Sequence, residues 1–176
     1  MNVVFFDVET QRSFDEVGGR QNIRQMGLAA AVTYSTATGT YRRYTEDGCA
    51  DLVAELRSAD LVVGFNVLNF DYEVLRAYTD DPLDDLPTLD MLDQVYRRLG
   101  FRLGLNALAE CTLGLGKSAD GLQSIAWFRQ GKIQEVLDYC QQDVDVTRQL
   151  YEYGRQYKHL KYRDRNYRVQ TVPVSW

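Results

Sequence analysis

Four apolar residues, Val3-Val4-Phe5-Phe6, run directly into Asp7-Val8-Glu9-Thr10. A run this short, made of β-branched and aromatic residues, reads as a buried strand. Asp7 and Glu9 follow at its C-terminal end. Residues two apart on a strand point to one face, so the spacing sets two carboxylates side by side against a hydrophobic sheet. Like charges there repel unless a cation lies between them. An ordinary polar strand end would look the same in isolation. Further carboxylates arriving from other segments would separate the two cases.

The remaining pattern is that of an α/β protein. After a polar, glycine-marked loop from Gln11 to Gly27, Leu28 to Tyr34 forms an apolar strand. Thr38-Gly39 signals a turn, and Tyr41 to Thr45 alternates as the hairpin partner. Asp51–Arg57 is a short helix, Leu61–Phe65 a buried strand, and Asp71–Tyr78 a helix. Asp90 is a natural N-cap for a helix from Met91 to Leu99, with Asp93 as a first-turn acid. Helices over Asn106–Leu113 and Asp120–Gln130 follow. The longest helix runs from Lys132 to about Tyr157, with Ile133, Val136, Leu137, Cys140, Val144 and Tyr151 as its apolar stripe. This order predicts a central mixed sheet of about five strands, a three-strand meander plus parallel strands, flanked by helices. Residues 1–157 form the expected domain. Residues 158–176 form a basic, aromatic extension, strand-like from Val169 to Val174, expected to pack on the same domain.

A chain of 176 residues with 45% hydrophobic content has room for one core. No stretch approaches a membrane span, and no basic-then-apolar leader opens the sequence, so a cytoplasmic protein without membrane contact is expected. Cys49, Cys111 and Cys140 are odd in number and lack a CxxC, which favours free thiols over a disulfide frame or zinc site. One histidine, His159, excludes a multi-histidine metal centre. A net charge of −5 excludes coating of duplex nucleic acid by charge alone. Contact with nucleic acid would be local, with metal ions supplying positive charge.

Two further segments carry candidate chemistry. Gly64-Phe65-Asn66-Val67-Leu68-Asn69-Phe70-Asp71 leads from a strand end into a helix, where open α/β sheets bind ligands. Asp71 would serve equally as a helix cap there. Tyr139 and Asp143 are four apart on the long helix and share a face, whether toward a cleft or toward solvent. Asp7, Glu9, Asp71 and Asp143 are thus four carboxylates from three elements, with Tyr139 one turn from the last. The set resembles the DEDD (DnaQ-like) superfamily of 3′–5′ exonucleases, on the ribonuclease H-like fold. Phe6-Asp-Val-Glu-Thr10 is similar to its first motif. Asn66-Val-Leu-Asn-Phe-Asp71 is similar to its second, in the spacing of proofreading domains of family B DNA polymerases. Tyr139-x-x-x-Asp143 is similar to its third, in the tyrosine subtype; Asp138 stands where the histidine subtype needs histidine. The resemblance spans about Val3 to Leu150.

The resemblance implies hydrolysis of DNA, or RNA, from single-stranded 3′ ends to nucleoside 5′-monophosphates with two Mg²⁺ or Mn²⁺ ions. It assigns Asp7 to both ions, Glu9 and Asp143 to one and Asp71 to the other, with Tyr139 orienting the attacking water. Some relatives are fused to helicases, so a helicase or repair partner is an expectation. Thr10, Gln11, Asn66 and Lys117 are the candidate nucleic-acid contacts, and Leu28 to Ala31 with the preceding loop the expected pocket wall. Gly114-Leu-Gly-Lys117-Ser118 is not a phosphate loop, because Cys111 stands where its first glycine belongs and a helix precedes it. The competing functions are a catalytically silent nucleic-acid-binding module and a structure-selective endonuclease working with a helicase. Arg and Lys interleaved with tyrosines in the tail would suit a single-strand grip, but the favoured reading is a solvated helix end with snorkelling side chains.

Overall fold

The computed structural model describes residues 1–116 and 120–176. Five strands form the main sheet: β1 (Val3–Thr10), β2 (Leu28–Ser35), β3 (Thr40–Tyr44), β4 (Leu61–Gly64) and β5 (Thr88–Asp90). Their order across the sheet is β3-β2-β1-β4-β5. The meander pairs are antiparallel and the β1–β4 and β4–β5 pairs are parallel, which makes the sheet mixed, as expected. The helices are α1 (Cys49–Arg57), α2 (Asp71–Leu75), α3 (Met91–Leu99), α4 (Leu105–Leu113), α5 (Gly121–Arg129) and α6 (Ile133–Tyr157).

β1 is the central strand, and its alternation distributes the two cores. Val4, Phe6 and Val8 join Leu52, Leu56, Tyr72 and Leu75 on the α1–α2 side. Val3 and Phe5 join Met91, Leu108, Cys140, Val144 and Leu150 on the α3–α4–α6 side. By the same period of two, Asp7 and Glu9 continue the Val3–Phe5 face, under α6. The strand is longer than expected: both acids lie within it rather than beyond its end. A register shift against β2 falls between Glu9 and Thr10.

Two elements differ from the sequence reading. β5 is a three-residue strand, too short for an alternation to reveal. A second hairpin, β6 (His159–Arg163) with β7 (Val169–Pro173), follows α6. β6 carries Lys161 and Arg163 of the basic tail, and only Leu160 in it is buried, which is why its strand character is hidden. Leu160, Val172 and Val174 pack into the α6-side core, and the Trp176 ring stacks on Tyr151 at 6.5 Å. Among the described residues no helix is long and apolar enough to cross a membrane. The three thiols are free, Cys49 and Cys140 buried and Cys111 partly so.

Candidate active site

The acids converge. Asp7, Glu9 and Asp143 each bring a carboxylate oxygen into a group whose members lie within 4.8 Å of one another. β1 fixes the first two. α6 fixes the third by packing its Cys140–Val144 stripe on β1, one turn from Asp143. Asp71 joins from the opposite side. β4 leaves the sheet after Gly64, so β1 loses its parallel neighbour beyond Phe5. The Val8 N–H thus left open donates to Asp71 Oδ1 at 3.0 Å. Asp71 is 2% exposed and stands inside the first turn of α2, while Phe70 occupies the cap position. It therefore bonds the central strand instead of capping its helix.

The turn between β4 and α2 is dictated by close approach. A Cβ on Gly64 would lie 2.1 Å from Val67 Cγ1 and 3.2 Å from the Phe6 carbonyl. Asn66 follows with φ of 70°, a left-handed conformation that asparagine tolerates better than most residues. Asp90 ties this turn to α3. Its carboxylate caps Leu92 and Asp93, as the sequence suggested, and also accepts from Asn66 N at 2.8 Å and Leu68 N at 3.1 Å. Asn66 Oδ1 in turn accepts from Arg102 Nη2 at 2.7 Å.

Burial dominates the electrostatics. Asp7 keeps part of its surface open to the cleft but is densely surrounded. Burial first, then the Asp71, Glu9 and Asp143 charges, push its carboxyl well above the usual range. Burial likewise raises Glu9 to about 8, Asp71 to about 8 and Asp143 to about 6. Ser124 on α5 partly offsets the shift at Glu9, and the Tyr139 hydroxyl, donating to Asp143, does so there. Burial and the three nearest acids push Tyr139 far above the ordinary phenol value. Its ring packs edge-on against Trp127 at 6.2 Å. Cys140 Sγ donates to the Asp7 carbonyl at 3.2 Å and reaches Asp7 Oδ2 at 3.5 Å.

These side chains fit hard divalent cations. Asp143 Oδ1 is buried without a hydrogen-bond partner, an expensive state for a carboxylate oxygen. Among the described residues, no basic side chain is among the groups that shift Asp7, Glu9, Asp71 or Asp143. An all-oxygen, acid-rich set of this kind suits hard divalent cations.

A cavity of about 430 Å³ opens on Asp7, Glu9 and Asp71. Its walls are Phe14 and Met26 from the glycine-marked loop, Phe65 and Phe70 from the β4–α2 turn, and Leu122 and Ile125 from α5. The Leu28–Ala31 wall expected from sequence is not there; those residues are buried in β2, in the sheet. Thr10 lines the cavity, with its hydroxyl donating to Arg12 O. Gln11 does not; its amide is committed to Leu28 O and Glu46 Oε2. Asn66 lines two neighbouring cavities instead. Lys117 lies outside the described residues. Sequence reasoning missed Ser124, Cys140 and the bridging part of Asp90, because each contact depends on packing between distant elements.

The family model described as RNase_H superfamily matches residues 4–154. Among solved structures, the chain is similar to the family B DNA polymerase from the hyperthermophilic archaeon Pyrobaculum calidifontis. They are 16% identical with a TM-score of 0.66, over 89% of this chain and 25% of that one. It is also similar to the zinc-bound E. coli ExoI–ssDNA complex, at 16% identity and a TM-score of 0.47, over 78% of this chain and 42% of that one. The chain therefore spans about a quarter of the polymerase, and the likeness is one of fold. No curated protein sequence matches it.

Proposed function

This chain belongs to the RNase_H superfamily, and from that premise we propose that it is a metal-dependent 3′–5′ exonuclease of the DEDD type, tyrosine subtype. One observation carries the reading: carboxylates from β1 and α6, 134 or more positions apart in sequence, gather within 4.8 Å, and a fourth is pinned to β1 at Val8. Burying that much like charge is costly unless cations offset it.

In this reading Asp7, Glu9 and Asp143 hold one Mg²⁺ or Mn²⁺ ion, and Asp7 with Asp71 the other. Bound there, the ions supply a lowered pKa for water and positive charge opposite the scissile phosphate. Tyr139 keeps its proton at neutral pH, donates it in a hydrogen bond that holds Asp143, and orients the attacking water by accepting a hydrogen bond through its oxygen; it is not the base. Phe14, Phe65 and Phe70 offer apolar and π-stacking surface for the terminal base beside the acids. The Phe14 and Phe70 rings meet edge to face at 5.7 Å and form one wall. Water attacks phosphorus and gives up a proton to solvent, the bond to the 3′ oxygen breaks, that oxygen takes a proton and becomes the 3′-hydroxyl of the shortened strand, and a nucleoside 5′-monophosphate is released.

The test is release of mononucleotides from a single strand labelled at its 3′ end, in Mn²⁺ and in EDTA. Metal-dependent release, lost by about 1,000-fold or more in Asp7→Ala on the scale of catalytic-group removal, is expected. Inactivity on both DNA and RNA in either metal overturns the reading. Cleavage of a circular single strand would replace it with internal cleavage.

A further inference from the structure

Around the acids the described residues bring little positive charge, yet a polynucleotide brings a phosphate with every residue. The cavity beside the acids that holds Asp7 and Asp143 is lined also by Asn66, Leu92 and Arg102. Those last three line a second groove as well, of about 720 Å³, which continues past Leu68 and the exposed Tyr96 to Arg20. The two spaces form one path leading away from the carboxylates.

Among the described residues lining this path and the nucleobase cavity, the only cations are Arg20 and Arg102. Both are exposed, and neither is in an ion pair with a described residue. The groove's own acids are already matched: Glu73 pairs with Arg24 and Arg76, and Asp93 with Arg97. Arg20 lies over the Phe14 ring, 4.7 Å from its centroid. Arg102 is fixed by the neutral Asn66 Oδ1. Each guanidinium is thus oriented by a partner that leaves its charge uncompensated, the arrangement suited to receiving a phosphate.

We propose that Arg20 and Arg102 bind backbone phosphates of a single strand on the 5′ side of its terminal nucleotide. The groove through Asn66, Leu68 and Tyr96 then sets a preference for strands over mononucleotide esters. Tyr96 supplies the stacking surface along it. The inference rests on the exonuclease reading for the polarity of the strand, but the groove can be tested without turnover.

Binding is read by fluorescence anisotropy of an oligothymidylate with phosphorothioate linkages in Ca²⁺, as a function of salt. Hydrolysis is read on the unmodified oligonucleotide and on the p-nitrophenyl ester of thymidine 5′-monophosphate, which has no upstream phosphate. The Arg20→Ala/Arg102→Gln variant should bind the strand at least tenfold more weakly. Its salt slope should fall by about one for each lost contact. Its loss of kcat/KM on the strand should exceed that on the ester by at least tenfold. Arg42→Ala, which removes the same charge from β3, should match wild type in all three. Wild-type strand binding by the double variant, or equal losses on strand and ester, overturns the proposal. Where wild type hydrolyses neither substrate, the exonuclease reading falls, and the binding arm alone decides on the arginines. Circular dichroism checks the fold; if the double variant is unfolded, the same measurements on Arg20→Ala alone, whose contact is a ring face, decide the matter.

Discussion

Glu9→Gln should make the metal-free protein more stable, and by an amount that depends on pH. Burial raises the Glu9 carboxyl from 4.5 to about 8, and the side chain is 7% exposed. A folded state that holds its proton more tightly than the unfolded chain is most favoured below pH 4.5. That advantage is lost as pH rises toward and through about 8. At about 1.4 kcal/mol for each tenfold step, the full penalty at alkaline pH is roughly 5 kcal/mol, and roughly 4 at pH 8. For a chain of this size that corresponds to a Tm difference on the order of 10 °C. The amide keeps the shape and removes the ionisation. Thermal unfolding followed in EDTA from pH 4.5 to 9 should therefore show the two proteins converging near pH 4.5, separating steadily from there to about pH 8, and levelling off above it. Saturating Mn²⁺ at pH 8 should raise the wild type and close the gap, since the substituted amide is a weaker ligand than the Glu9 carboxylate. A variant no more stable than wild type at pH 8 in EDTA, or a gap that ignores pH, would refute the claim that burial of like charge governs this site.

Other substitutions test the scaffold. Asp90→Ala removes the acceptor shared by Asn66, Leu68, Leu92 and Asp93, and should cost about 3 kcal/mol. It should also slow hydrolysis while Asp7, Glu9 and Asp143 still bind Mn²⁺, measured by denaturant unfolding and calorimetric titration. Gly64→Ala forces a methyl into Val67 and should sharply lower soluble yield and Tm, read from expression and thermal melts, whereas Gly121→Ala, with open space around it and no positive φ, should lose far less. Tyr139→Phe should lower kcat by up to roughly 100-fold with little change in KM, the signature of a misoriented water and an undonated Asp143.

Much of this was readable from local pattern. β1 declared itself by its apolar run, α6 by its 3.6-residue stripe, and the cap at Asp90 by residue type. The pairing of Asp7 with Glu9 followed from a period of two. What local pattern lacks is the third dimension. β5 and β6 exist because neighbouring strands complete their hydrogen bonds, not because their residues prefer strands. Asp90 looked like a cap and is one, but the two loop amides it also binds are more than 20 positions away in sequence. Gln11 adjoins the first motif yet is drawn off to Glu46 and the β2 backbone. The glycine-marked loop was expected in the pocket wall and lines it, but the α5 part of the wall exists because α5 packs across β1, a placement no periodicity encodes.

Asp7 and Glu9 sit on the one strand of the sheet flanked by β2 on one side and by β4, then Asp71, on the other. Backbone held on both sides opens only when the whole domain does, so the Phe6–Glu9 amides belong with the slowest to exchange with deuterium. In the proposed exonuclease, the two β1 acids would therefore keep their places from one turnover to the next. Adaptation to different strands is left to the outer loops, which can vary in sequence without disturbing the cage of acids they surround.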